Sequence, residues 1–195
     1  MVNTQKKTAE KRRFLVLIPH RDAAILFNEY RQKLFSMGIP GAHSFPTAAP
    51  LAELSQPLSR EELRELAVKV REQTNKNNGI IQCSGTVTTG CADKNFKELT
   101  FYGLKLSLES VNGLIPGAAK GKISSFLAPP ILPSFVGCRD DPCAAEKKLA
   151  AAPSLAFRAA ALANLIIRPL YAETPNYSFE WKISEPVWLP AYKKA

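Results

Sequence analysis

His20 and His43 are the two histidines of this chain, and an imidazole pair is the side-chain set best suited to moving protons near neutral pH. His20 lies in Pro19-His20-Arg21-Asp22, a setting for a capping or solvent-facing role, or for a phosphate contact where a pocket borders a strand end. His43 lies in Ala42-His43-Ser44-Phe45-Pro46. Cys83, Cys91, Cys138 and Cys143 stand in C-x7-C and C-x4-C spacings separated by a long interval. Zinc sites use tighter pairs of pairs, so the four read as free, partly buried thiols; a Cys138–Cys143 disulfide would need an oxidising setting. Neither metal nor cofactor is expected. No P-loop, dinucleotide-binding fingerprint, H-E-x-x-H or G-x-S-x-G occurs, so phosphate cradling by a glycine loop, nicotinamide redox chemistry, zinc proteolysis and serine hydrolysis have no sequence support.

The formal charge is +9, of which +4 falls in residues 1–13 and +2 on Lys193 and Lys194, leaving +3 for everything between. The folded body is therefore only mildly basic. Clustered Lys and Arg can neutralise RNA phosphates, and a solvated basic tail explains the same distribution. Lys120 and Lys122 are either plain solvated lysines or cations that steer an anionic ligand. The basic N-terminus precedes an apolar run that ends at Ile18, too short for a signal peptide or a membrane span. A soluble, cytoplasmic protein is expected, with residues 1–13 as a basic flexible tail and 14–195 as one domain.

The elements that must position these groups follow from periodicity. Residues 14–18 read as a strand. Asp22 can cap a helix carrying Leu26, Tyr30, Leu34 and Met37 on one stripe, with Gly38 at its C-cap. Residues 43–51 read as a second strand. Ser59 and Glu62 form an S-x-x-E capping box ahead of Leu63, Leu66 and Val70. Both helices should pack on one side of a sheet. Residues 80–88 and 99–108 alternate as a hairpin around the turn-rich 90–97. Residues 111–136, with Pro129, Pro130 and Pro133, read as a long irregular excursion. Asp141-Pro142 opens a short helix. Residues 157–168 mix helical alanines with the strand-like Leu165-Ile166-Ile167, and 177–189 alternate as a half-buried terminal strand.

The order of elements from Phe14 through Met37-Gly38, then Ala42-His43-Ser44-Phe45-Pro46, and finally the segment from Phe179 to Leu189, resembles the LigT-like two-histidine phosphoesterases. That resemblance implies an α+β fold of two lobes, with antiparallel sheets lining a central cleft and helices outside. In that family each of two H-x-[ST] motifs presents a histidine for proton transfer and a hydroxyl for the phosphate. Here His43 is followed by Ser44 and Phe45, and the second motif falls at residues 157–162, where Ala160 and Leu162 occupy its two chemical positions. Neither can transfer a proton, so the implied relative is catalytically degenerate.

If the lobes pack as in that family, strand alternation puts Phe45 and Thr47 on the cleft side with His43, and Arg158, Asn164 and Arg168 on it with Ala160 and Leu162. Arg158 and Arg168 would hold an anion, Asn164 a base or phosphate, and Phe45 would stack on a base. The alternative reading has the arginines capping strand ends, Asn164 closing a turn and Phe45 in the core. Binding of an RNA end or nucleotide is the leading expectation, with no membrane partner. The alternatives are an active phosphodiesterase using His43 with His20, and a protein-interaction module that keeps only the scaffold.

Overall fold

A computed structural model describes residues 11–37, 45–91, 99–108, 117–126, 131–138, 154–173 and 176–191. The order is β1 (Arg12–Pro19), α1 (Arg21–Ser36), β2 (Ala49–Leu54), α2 (Arg60–Asn75), β3 (Ile80–Cys91), β4 (Leu99–Leu106), a 3-10 helix (Gly117–Lys122), β5 (Ile123–Phe126), β6 (Ile131–Cys138), β7 (Leu155–Glu173), β8 (Asn176–Ile183) and β9 (Val187–Trp188). The fold is mixed α/β: an open sheet in the order β5-β2-β1-β7-β3-β4-β6, every assigned pair antiparallel, with two α-helices among the described residues.

The 19 residues of β7 organise the sheet. One edge pairs with β1, and the other receives β3, then β9, then β8 along its length. Residues 157–168, divided in propensity between helix and strand, are thus strand throughout, because two flanking strands satisfy their backbone groups. Their alternation is not continuous, however. Ile18 pairs with Ala161 and Pro19 with Ala159, so Ala160 is an extra residue. Phe157 and Ala159 before this bulge, and Leu162 after it, all enter the same core. A one-residue insertion inverts side-chain parity.

That core also takes Phe27 from α1 and Leu63, Leu66 and Val70 from α2, so both helices cover one side of the sheet. The α2 stripe is the predicted one, whereas on α1 Leu26 and Met37 of the predicted stripe are exposed and Phe27, Arg31 and Leu34 are the buried residues. The ends of the sheet approach each other: β6 lies near β2, and its Leu132 shares this core with Leu51 and Leu54. A second cluster of Phe14, Val16, Phe45, Ala48, Ile131, Ala163, Leu165 and Ile167 fills the opposite side of β1 and β7.

The Ser59–Glu62 capping box forms as predicted. Helix α1 differs: its N-cap is His20, which makes no side-chain capping bond, and Asp22 sits inside the first turn. Gly38 lies outside the described residues. The second strand begins at Ala49 rather than residue 43, and 45–48 approach it without strand pairing. The predicted hairpin is β3–β4. Residues 131–136, read as the end of an irregular excursion, belong to β6 despite Pro133. That strand terminates the hydrogen-bonded order, where a missing N–H is tolerated, and Pro133 lies opposite Gly103 at a register shift. The predicted helix after Asp141-Pro142 lies outside the described residues, and the terminal strand is split into β8 and the two-residue β9. Asn78 and Gly79 both take positive φ where α2 turns into β3, a geometry open to these two residue types.

Candidate functional site

The residues expected to line one cleft are dispersed. Phe45 is core, 1% exposed, and offers no ring face to a base. Thr47 donates to Asn28 Oδ1 at 2.6 Å and accepts from Arg31 Nη1 at 3.2 Å, while Arg31 Nη2 donates to the Phe45 carbonyl. This buried Arg31, pulled down to about 10 by desolvation, ties the 45–48 segment to α1. Asn164 is buried and engaged by the backbone of Leu58, just before α2. Arg168 faces Glu180 across β7 and β8, with Nη1 3.8 Å from Oε2.

Two physical facts break the expected set. The Ala160 bulge puts Arg158 and Asn164 on different faces despite their even spacing, so Asn164 is interior and Arg158 exposed. Moreover, ten residues of strand separate Arg158 from Arg168, roughly 33 Å at about 3.3 Å per residue. One phosphate cannot bridge them. His43 lies outside the described residues, so its relation to His20 carries no weight here. Lys122 is no steering charge either, since its Nζ lies 2.8 and 2.7 Å from the two carboxylate oxygens of Glu62.

Two of the expected residues, His20 and Arg158, do come together. Strand β1 ends against the Ala160 bulge, and the His20 N–H donates to the Arg158 carbonyl at 2.8 Å, seating the start of α1 beside β7. Around this junction His20, Asp22, Ala23, Ala156, Phe157 and Arg158 line an open depression of about 360 Å³. The first-turn N–H groups of α1 have no intrahelical acceptors, and His20 supplies no side-chain cap. Asp22 Oδ2 lies 3.4 Å from His20 Nδ1, but both side chains are more than half exposed, so water weakens this pair.

Sequence reasoning missed Arg71 of α2, which donates through Nε to the Pro190 carbonyl at 2.7 Å. Burial first, and then repulsion from Arg158, lowers its pKa. Arg71 thus lies within electrostatic reach of Arg158. No sequence signal links residues 71 and 158, since Arg71 is one of several charges on an amphipathic helix. Arg158, on the wall of the depression at the start of α1, forms a place for an anion. Among the described residues no group of His, Cys, Asp and Glu has the arrangement of a metal site, and no helix is long and apolar enough to cross a membrane. Comparison with known protein families, curated proteins and solved structures finds no match.

Proposed function

We propose that this protein binds a phosphate-bearing ligand, a nucleotide or an RNA end, in the depression at the start of α1. The observation that carries this reading is the seating of the uncapped first turn of α1 beside Arg158, through the His20 N–H bond to the Arg158 carbonyl, in one depression. Arg158 supplies a fork of donors on the depression's wall, the helix N-terminus adds a positive partial charge, and Arg71 raises the local potential. Phe157 and Ala156 leave an apolar wall for a sugar or base.

The antiparallel sheet and the β1-α1-β2-α2 order support descent from a LigT-like two-lobed scaffold whose histidine motifs have decayed. Binding is favoured over turnover because His20, exposed and paired only through solvent-screened contact with Asp22, lacks the desolvated setting that sustains proton transfer. A phosphodiesterase using His20 is the second reading, favoured by the Asp22 carboxylate 3.4 Å from Nδ1.

Calorimetric titration with a nucleoside monophosphate and with the same nucleoside lacking phosphate tests the proposal. The phosphate form should bind more tightly, and Arg158→Ala should remove that advantage, at roughly 1.5–3 kcal/mol per charged hydrogen bond lost. Equal binding of both compounds would refute it. Hydrolysis of a 2′,3′-cyclic nucleotide that disappears in His20→Ala would instead establish the second reading.

A further inference from the structure

Trp188 is the most exposed large apolar side chain among the described residues, at 69%, yet its backbone is firmly anchored. Val187 and Leu189 on either side of it are buried in the first core. The Leu189 N–H donates to the Ala160 carbonyl at 2.9 Å, and the Pro190 carbonyl accepts from Arg71 Nε at 2.7 Å. With 187 and 189 inward on an extended segment, the indole between them is held outward. Packed inside, an indole would bury a large apolar area. Held in water on a fixed strand, this one does nothing for the fold.

The Ala160 bulge decides what stands beside it. Trp188 lies directly opposite Ala161 of β7, and opposed residues of an antiparallel pair project to the same face. Ala161 alternates with Leu162, which enters the first core, and Arg158 alternates with Phe157 and Ala159, which enter it too. Trp188 and Arg158 therefore share the face turned away from that core. Residues 158 and 161 are an odd number of positions apart, so the extra residue at Ala160 is what brings them to one side. They are close: at most about 10 Å along β7 and about 5 Å across to β9. The way between them is open, with Arg158 exposed and Ala160 partly exposed. The β7 residues of the second cluster start at Ala163, beyond Trp188 from Arg158.

An indole face stacks on nucleobases and a guanidinium holds phosphate, and one nucleotide carries both groups a short distance apart. We infer that Trp188 is the base platform of the site at the start of α1, so that its ligand is a nucleotide with phosphate at Arg158 and base on Trp188, and not a phosphate compound lacking a base. The phosphate end rests on the reading proposed above; the stacking end stands on the placement of Trp188. Stacking engages the ring face, which every base has, so base identity is read weakly.

Fluorescence isolates the platform, because in a Trp181→Phe background Trp188 is the sole tryptophan. This full-length protein is titrated with adenosine monophosphate, ribose 5-phosphate and adenosine, with calorimetry alongside for the compound that lacks a base. The nucleotide should quench Trp188 saturably and bind about tenfold more tightly than ribose 5-phosphate. Trp188→Ala should remove that margin and leave ribose 5-phosphate binding unchanged, a split that loss of structure does not produce, and Trp188→Phe should restore most of it. Equal binding of nucleotide and ribose 5-phosphate, both weakened by Arg158→Ala, would overturn the inference and leave the phosphate site intact. Equal quenching and binding by nucleotide and adenosine would refute the phosphate site while supporting the platform. Binding of none of the three would overturn both. A dimer in sedimentation that becomes a monomer in Trp188→Ala would assign the ring to a second copy of the chain and overturn the inference.

Discussion

The Asn164 side chain satisfies both backbone groups of Leu58: Oδ1 accepts from the Leu58 N–H at 2.9 Å, and Nδ2 donates to the Leu58 carbonyl at 2.8 Å. A carboxamide here imitates one rung of a strand pair, locking the residue before the Ser59 cap onto the centre of β7. The Asn164 N–H in turn donates to the Ser184 hydroxyl oxygen at 2.9 Å. Replacing Asn164 by Ala strands two buried backbone groups. Urea unfolding should show a loss of about 2–6 kcal/mol, at about 1–3 per unsatisfied group, while nucleoside monophosphate binding by the folded fraction stays unchanged.

Acid should loosen the same region through Glu62. The hydrogen bond from Lys122 and the backbone N–H of Ser59 hold this carboxyl below its ordinary value of 4.5. Between the two values the unfolded chain binds the proton and the folded chain does not, so stability present above about pH 4.5 falls as the pH drops through the folded-state value. Glu62→Gln should be less stable than the parent at pH 7 and should lose less on acidification. Thermal melts across pH 3 to 7, at about one-unit steps, would reveal the converging curves.

Burial pushes the Cys83 thiol up to about 12. Thiolate is the reactive form, so at pH 8 this side chain should resist iodoacetamide in the folded protein and react fully in urea. Peptide mapping by mass spectrometry isolates Cys83 from the other three cysteines. Rapid labelling under native conditions would contradict its position in the core.

Gly103 permits β4 and β6 to meet at their register shift. A Cβ at this position would run into the Leu132 carbonyl and crowd Pro133 Cα, both of them backbone atoms that yield little. Gly103→Ala should therefore cost on the order of 1–3 kcal/mol by overpacking. Gly121, where an added Cβ meets nothing within 4 Å, is the matched control and should tolerate Ala without comparable loss.

Salt dependence should distinguish the basic tail from the folded site. Removing residues 1–10 deletes Lys6, Lys7 and Glu10, a net +1, without touching β1, so oligonucleotide affinity should fall slightly at low salt and converge with the parent near physiological ionic strength. The Arg71→Ala, Arg158→Ala protein should instead remain weaker at both. If the truncation abolishes binding and the double substitution has no effect, binding resides in the tail.

Local rules written into adjacent residues were legible in the chain itself. Ser59 and Glu62 lie three apart and cap one helix regardless of what packs on it, and the Leu63, Leu66 and Val70 stripe declares the buried face. The alternation of residues 80–88 and 99–108 likewise defines a hairpin, because its partners are near in sequence. What depended on distant partners was not legible. Helical alanines in 157–168 became strand because β1 on one edge and β3 and β9 on the other absorb their backbone groups. A single extra residue at Ala160 then reversed the faces that even spacing predicts, sending Asn164 inward and leaving Arg158 outside. Phe45 entered a core because residues 45–48 fold against α1 through Arg31 rather than continuing a strand. The placing of His20 against Arg158 arises from strand register. Register is set by long-range pairing, and no spacing within the sequence encodes it.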